Sequence, residues 1–173
     1  MKRGRHLQDV ARVARHEAGH AVASLACGVI VTCVVVTSEA GASVTAHKPG
    51  KRDPMVDGII AWAGSVAEGV DWINEDDARP FARYGFTNRS IVTMRQMAEA
   101  LLSEHARAVD VLAAELVKHG ALFGPDVKRV AVRACPWLRR DVPRYPKEHL
   151  PVFRAEYERM CRRYKVTPKG KPR

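Results

Sequence analysis

Residues 7–37 read LQDVARVARHEAGHAVASLACGVIVTCVVVT, and the apolar period of this stretch changes halfway along. In its first part Leu7, Val10, Ala11, Ala14, Ala18, Ala21, Val22 and Leu25 recur at three- and four-residue steps. That spacing stacks apolar side chains on one helix face. It predicts a helix over 7–27, stopped by Gly28. Residues 29–37 are dominated by β-branched side chains and predict a strand. Beyond a turn at Gly41, residues 42–47 are expected to pair back as a second short strand.

The helix carries His16-Glu17-Ala18-Gly19-His20, a His-Glu-x-x-His pattern. Residues four apart sit one turn above the other on a single face. Two imidazoles so placed can share one Zn²⁺ ion. Glu17, one residue beyond the first ligand, stands beside the metal as a general base for zinc-bound water. The reaction this implies is hydrolysis of an amide bond. Gly19 costs a helix interior ~1 kcal/mol relative to alanine. Its expected reason is close approach of another backbone to this helix.

Such a centre needs a third protein ligand, a His, Glu or Asp from a later segment. His47, Glu68 and the acidic run Glu75-Asp76-Asp77 are the candidates, and chemistry alone leaves all of them open.

Further along, Asp53-Pro54 marks a helix start, with Asp53 as the cap and the helix running to about Ile73. Pro80 breaks the polar segment 74–85. From Asn88 to His119 the pattern is helical, long enough to be kinked near Ser103 or split in two. Gly120 ends it, and Gly124-Pro125-Asp126 opens a short helix to about Ala134.

After Cys135 the character changes. Residues 1–127 hold 14 Lys/Arg against 15 Asp/Glu, whereas residues 128–173 hold 15 against 4, so the whole net charge of +10 comes from the last quarter. Two parts are expected: a peptidase-like body over 1–134 and a basic extension over 135–173. Residues 152–164 fit one amphipathic helix with Phe153, Tyr157, Met160, Cys161 and Tyr164 on its apolar side. The basic extension points to nucleic acid or an acidic partner, with Tyr157 and Tyr164 as stacking platforms. The alternative is that its aromatic face packs on the body.

Cys27, Cys33, Cys135 and Cys161 form no Cys-x-x-Cys pair, which is expected of free thiols in the cytoplasm. Lys2, Arg3 and Arg5 precede the apolar run Ala21–Val36, but two histidines and a glutamate intervene, and the run is short for a membrane span. No membrane span is expected.

The stretch Arg15–Ser24, Arg-His-Glu-Ala-Gly-His-Ala-Val-Ala-Ser, resembles the zinc motif of the FtsH-type membrane AAA proteases. Ala63-Gly64-Ser65-Val66-Ala67-Glu68 is similar to that family's Gly-Gly-Arg-Ala-Ala-Glu block, and 101–127 to its C-terminal helices and closing turn. The resemblance spans about residues 8–132. It implies a zincin-like α+β domain, mainly helical with a small sheet, in which an Asp opening a helix after the Ala-Ala-Glu block is the third ligand. Carried over, that residue is Asp77, with Asp76 as the alternative. It also implies that substrate lies as an added strand along the edge at Val44 and Thr45. No Gly-x-x-x-x-Gly-Lys loop occurs in the 173 residues. The expected activity is therefore a metalloendopeptidase without its own ATPase, acting on flexible polypeptide or on substrate delivered by a separate ATPase or protein partner. Homo-oligomerisation is a further implication of the resemblance. The competing expectation is a catalytically silent zincin scaffold that binds nucleic acid or a protein through its basic C-terminus.

Overall fold

The computed structural model describes residues 2–37, 40–45, 53–140 and 142–168. The chain is mainly helical, with one small antiparallel sheet. The elements are α1 (Lys2–Ala26), β1 (Val31–Val36), β2 (Gly41–Thr45), α2 (Pro54–Glu68), α3 (Arg79–Tyr84), α4 (Asn88–Glu104), α5 (Ala106–His119), β3 (Ala121–Phe123), α6 (Gly124–Ala134) and α7 (Leu150–Arg163). No helix of the described residues is long and apolar enough to cross a membrane.

The helix-to-strand switch at Gly28 sets the framework. Gly28 adopts φ 72°, and its N–H and that of Val29 bond back to the Leu25 and Ser24 carbonyls. A left-handed glycine closing the last turn in this way reverses the chain at little steric cost. The sheet order is β2-β1-β3, so β1 is central and buried at every position. A sequence β-branched at every position but Cys33 suits a strand covered on both faces. Val31, Val34 and Val36 face the main core with α1, α5 and α6, while Cys33 and Val35 face α7. Strict alternation would place Val31 with Cys33. The β1–β2 register shifts between Val31 and Cys33, and that irregularity turns Val31 to the other side.

The second face of the sheet is covered from the C-terminal segment. Tyr157 and Cys161 are fully buried, with Met160, against Cys33, Val35 and Ala121. Cys135, Leu138 and Val142 enter the main core, and the Tyr145 hydroxyl donates to the Val31 carbonyl at 2.6 Å. The aromatic face of α7 therefore packs on the sheet. Tyr157 is not available to stack on bases, which corrects that expectation.

Several boundaries differ from the sequence reading. The second helix ends at Glu68 rather than near Ile73, because Gly69 at φ 80° returns its N–H to Ser65 and Val66. Pro80 does not break structure but sits in the first turn of α3, where its missing N–H has no helical partner to lose. The long helical stretch is split, one of the two outcomes expected of it, and the division falls at His105 between α4 and α5. β3, a three-residue strand paired antiparallel with β1, was not expected.

α1 and α2 lie against each other at Gly19. A Cβ there would fall on the Ala63 carbonyl oxygen and 2.5 Å from the Ala67 Cβ. The close approach expected of Gly19 is thus the packing of α2. Gly19→Ala is expected to destabilise the fold by about 1–3 kcal/mol, overpacking outweighing the gain in helix propensity. The check is urea denaturation, with a lowered midpoint at unchanged slope.

Candidate metal centre

Three acceptor atoms converge where α1, α2 and the turn before α3 meet. His16 Nε2 lies 3.0 Å from His20 Nε2 and 2.9 Å from Asp77 Oδ2, and His20 Nε2 is 3.3 Å from the same Asp77 oxygen. The helix supplies the two imidazoles by its pitch. Asp77 is supplied by a turn that Asn74 organises: the Asn74 side-chain oxygen accepts from the Asp77 N–H at 2.9 Å, and its amide donates to Asp77 Oδ2. Asp76, the alternative ligand, points to solvent and pairs with Arg79 at 2.6 Å. Glu75 is exposed. His47 lies outside the described residues.

The opposite ring nitrogens are engaged behind the site. His20 Nδ1 donates to the Ile60 carbonyl at 2.7 Å, and His16 Nδ1 to Glu68 Oε2 at 3.0 Å. Both partners are acceptors, so Nδ1 carries the hydrogen on each ring and Nε2 presents a lone pair. Glu68, weighed above as a ligand, instead orients His16 and is itself held by Arg12 at 2.6 Å. Carboxylate and carbonyl partners behind metal-binding histidines are a recurring device for fixing ring orientation.

Two lone pairs and a carboxylate oxygen this close repel unless a cation lies among them. Four ligands at the usual zinc distances of about 2.0–2.1 Å would stand about 3.3 Å apart at the corners of a tetrahedron. The observed 2.9–3.3 Å matches a slightly contracted form of that spacing. Two imidazoles and one carboxylate are also a donor set that suits zinc and leaves a position open. Without a metal, a proton must take the cation's place. Burial alone would lower the His20 imidazole, but its hydrogen bond to Asp77 and the charges of Asp77 and Glu17 carry it up to about 9. Burial works to raise the Asp77 carboxyl, yet the two histidines hold it well below the ordinary carboxylate range.

Gly64 makes the room. A Cβ at this position of α2 would lie 2.5 Å from His16 Nε2 and nearer still to His20 Nε2. Any larger residue would fill the space the two nitrogens face.

Glu17, 7% exposed, does not join the three converging atoms but faces the same cleft. The cleft measures about 360 Å³, and its walls include Glu17, His20, Gly41, Ile60, Asp77 and Tyr164. Gly41, the first residue of β2, packs so close to Glu17 that a Cβ would sit 2.5 Å from its Cγ. Val44 and Thr45 lie on β2 opposite Cys33 and Val31, and β2 is an edge strand. Tyr164, at the end of α7, donates its hydroxyl to the Gly41 carbonyl at 3.2 Å.

Asn74, Gly64 and Tyr164 were absent from the sequence-based site. Asn74, three residues before an aspartate, carried a local signal, since asparagine side chains bond their own chain in turns. Gly64 inside a helix carried another. Tyr164 carried none. No protein-family model matches the chain, and no curated protein matches it.

Proposed function

We propose that the chain is a zinc-dependent endopeptidase domain of the zincin type, as its resemblance to FtsH-type peptidases suggests. The observation that carries this reading is the convergence of His16 Nε2, His20 Nε2 and Asp77 Oδ2, with the buried carboxylate of Glu17 on the same cleft. His16, His20 and Asp77 would hold the ion. A zinc ion supplies a Lewis acid that acidifies water and polarises a peptide carbonyl.

The chain's own residues do the rest. Glu17 takes the proton from the attacking water and passes it to the departing amine, as a general base turned general acid. Gly41 and Glu17 pack together, so the start of β2 borders the reacting centre. Among the described residues β2 is an edge strand, whose outer backbone N–H and C=O groups would pair with an extended polypeptide, with Val44 and Thr45 further along the same strand. Only a chain free of its own secondary structure can add to an edge in this way. The substrates are therefore flexible segments or unfolded chains, and a folded protein requires a separate ATPase. A homo-oligomer, as the resemblance implies, would gather several such clefts. The four cysteines are free thiols, which suits the reducing cytoplasm.

The test is incubation of the purified protein with an unfolded polypeptide such as casein. Cleavage is expected, stopping with a chelator and returning with zinc. Zinc-loaded protein that leaves casein intact would favour the catalytically silent scaffold.

A further inference from the structure

The positive charge of the C-terminal quarter is not spread evenly over the structure. On α7 it is largely engaged: Arg159 pairs with Glu156 at 2.6 Å, Arg154 with Glu158 at 3.3 Å, and Arg163 lies over the Tyr164 ring. On α6 it is not. Two adjoining hollows of about 640 and 620 Å³ share Arg129 and Arg133, which stand one helical turn apart. Lys128 and Arg139 line the first over Val132, and Arg107 lines the second beside Val111. Together they form one basic furrow running from α5 across α6 to the turn at 136–140.

Of the acids nearby, Asp126 pairs with Arg129 at 2.6 Å, and Glu115, which lines the second hollow, is turned to His119 at 3.1 Å. Arg107, Arg133 and Arg139 have no carboxylate partner among the described residues, and all three are exposed. Between the lining residues Pro136 and Arg139 stands Trp137, 51% exposed. None of these residues borders the cleft at His20.

We propose that this furrow binds single-stranded nucleic acid, with the guanidinium groups of Arg107, Arg133 and Arg139 on phosphates and the Trp137 indole stacked on a base. Guanidinium forks match phosphate oxygens in pairs. An exposed indole one residue along the chain from Pro136, which lines the furrow, supplies the second half of a single-strand platform, since every base offers a π-face. An acidic peptide would satisfy the arginines but leave Trp137 without a role. Binding is expected to tolerate any sequence, because the arginines are assigned to phosphates and stacking on an indole does not depend on base identity. Burial first, and then the charges of Arg144 and Arg139, push the Lys128 ammonium below its ordinary pKa.

The experiment is fluorescence anisotropy of a labelled oligothymidylate titrated with the full chain. Three phosphate contacts should give a log–log salt slope of roughly −2 between about 50 and 200 mM salt. Arg129→Glu combined with Arg133→Glu is expected to weaken binding by about tenfold or more. Trp137→Ala, an exposed position that leaves the furrow's charge intact, should weaken it roughly 5- to 100-fold. Lys169→Glu combined with Lys171→Glu should change it by less than about twofold, because the phosphate contacts are assigned to Arg107, Arg133 and Arg139. Three results would overturn the proposal: furrow variants that bind like wild type, affinity lost with the two tail lysines instead, or polyglutamate displacing the probe as well as unlabelled oligothymidylate of equal charge.

Discussion

Gly64→Ala is expected to abolish metal binding without changing a single ligand. The added methyl would stand 2.5 Å from His16 Nε2 and closer still to His20 Nε2, in the space both nitrogens face. Neither ring can retreat without loss. His20 is tied behind to the Ile60 carbonyl and His16 to Glu68, which is itself tied to Arg12. Moving α2 away instead would open the Gly19–Ala63 contact that joins the two helices. Overpacking of this kind costs about 1–3 kcal/mol wherever it is absorbed. Bound zinc should fall from about one per chain to below about a tenth, since a site that has lost its ligand geometry no longer holds the metal. Elemental analysis measures this, with circular dichroism to show that the helices persist. A Gly64→Ala protein that keeps stoichiometric zinc would mean the ion is held elsewhere.

Glu17→Gln is expected to separate chemistry from binding. Glutamine keeps the shape of the side chain against Gly41 but cannot take a proton. Because Glu17 is not among the three converging atoms, zinc content should match wild type. Casein cleavage should fall by about 10²–10⁴-fold, the usual contribution of a positioned general base. Loss confined to turnover, with unfolded substrate still bound, is the signature of a group that acts on the reacting atoms. Unchanged cleavage in this variant would remove Glu17 from the mechanism.

The first third of the chain was the most legible. α1 and β1 followed from a clean change of apolar period at Gly28, and the mainly apolar β1 is buried on both faces. The failures have physical causes. Val70, Trp72 and Ile73 look like a continuation of α2, but Gly69 in the left-handed region had already ended the helix. β3 is three residues between two glycines, too short for any period to show. The split of the long helical stretch was expected; only its exact place, His105, has no glycine or proline to mark it. The covering of the sheet by α7 is a tertiary fact: the amphipathic pattern showed an apolar face but not what it would meet.

The site divides in the same way. His16, Glu17 and His20 are read directly, because the helix pitch alone brings the two histidines together. Asp77 could be chosen over Asp76 only by resemblance. Adjacent residues in a turn point in different directions, and it is the Asn74 side chain that turns Asp77 inward while Asp76 faces Arg79. Glu68 was legible as important but not as a supporting residue. Whether a carboxylate meets the converging Nε2 atoms or the back of a histidine depends on where α2 crosses α1, which Gly19 and Ala63 decide. Tyr164 reaches the cleft only because α7 packs across the sheet, more than a hundred residues along the chain from Gly41.

The most direct measurement is metal content by elemental analysis on protein purified without chelator, for wild type, His20→Ala, Asp77→Ala and Asp76→Ala in parallel. About one zinc per chain is expected in wild type and in Asp76→Ala, and almost none in His20→Ala and Asp77→Ala, because a three-ligand centre does not survive on two. No stoichiometric zinc in wild type, or zinc that persists without His20 and Asp77, would contradict a metal centre built on these residues.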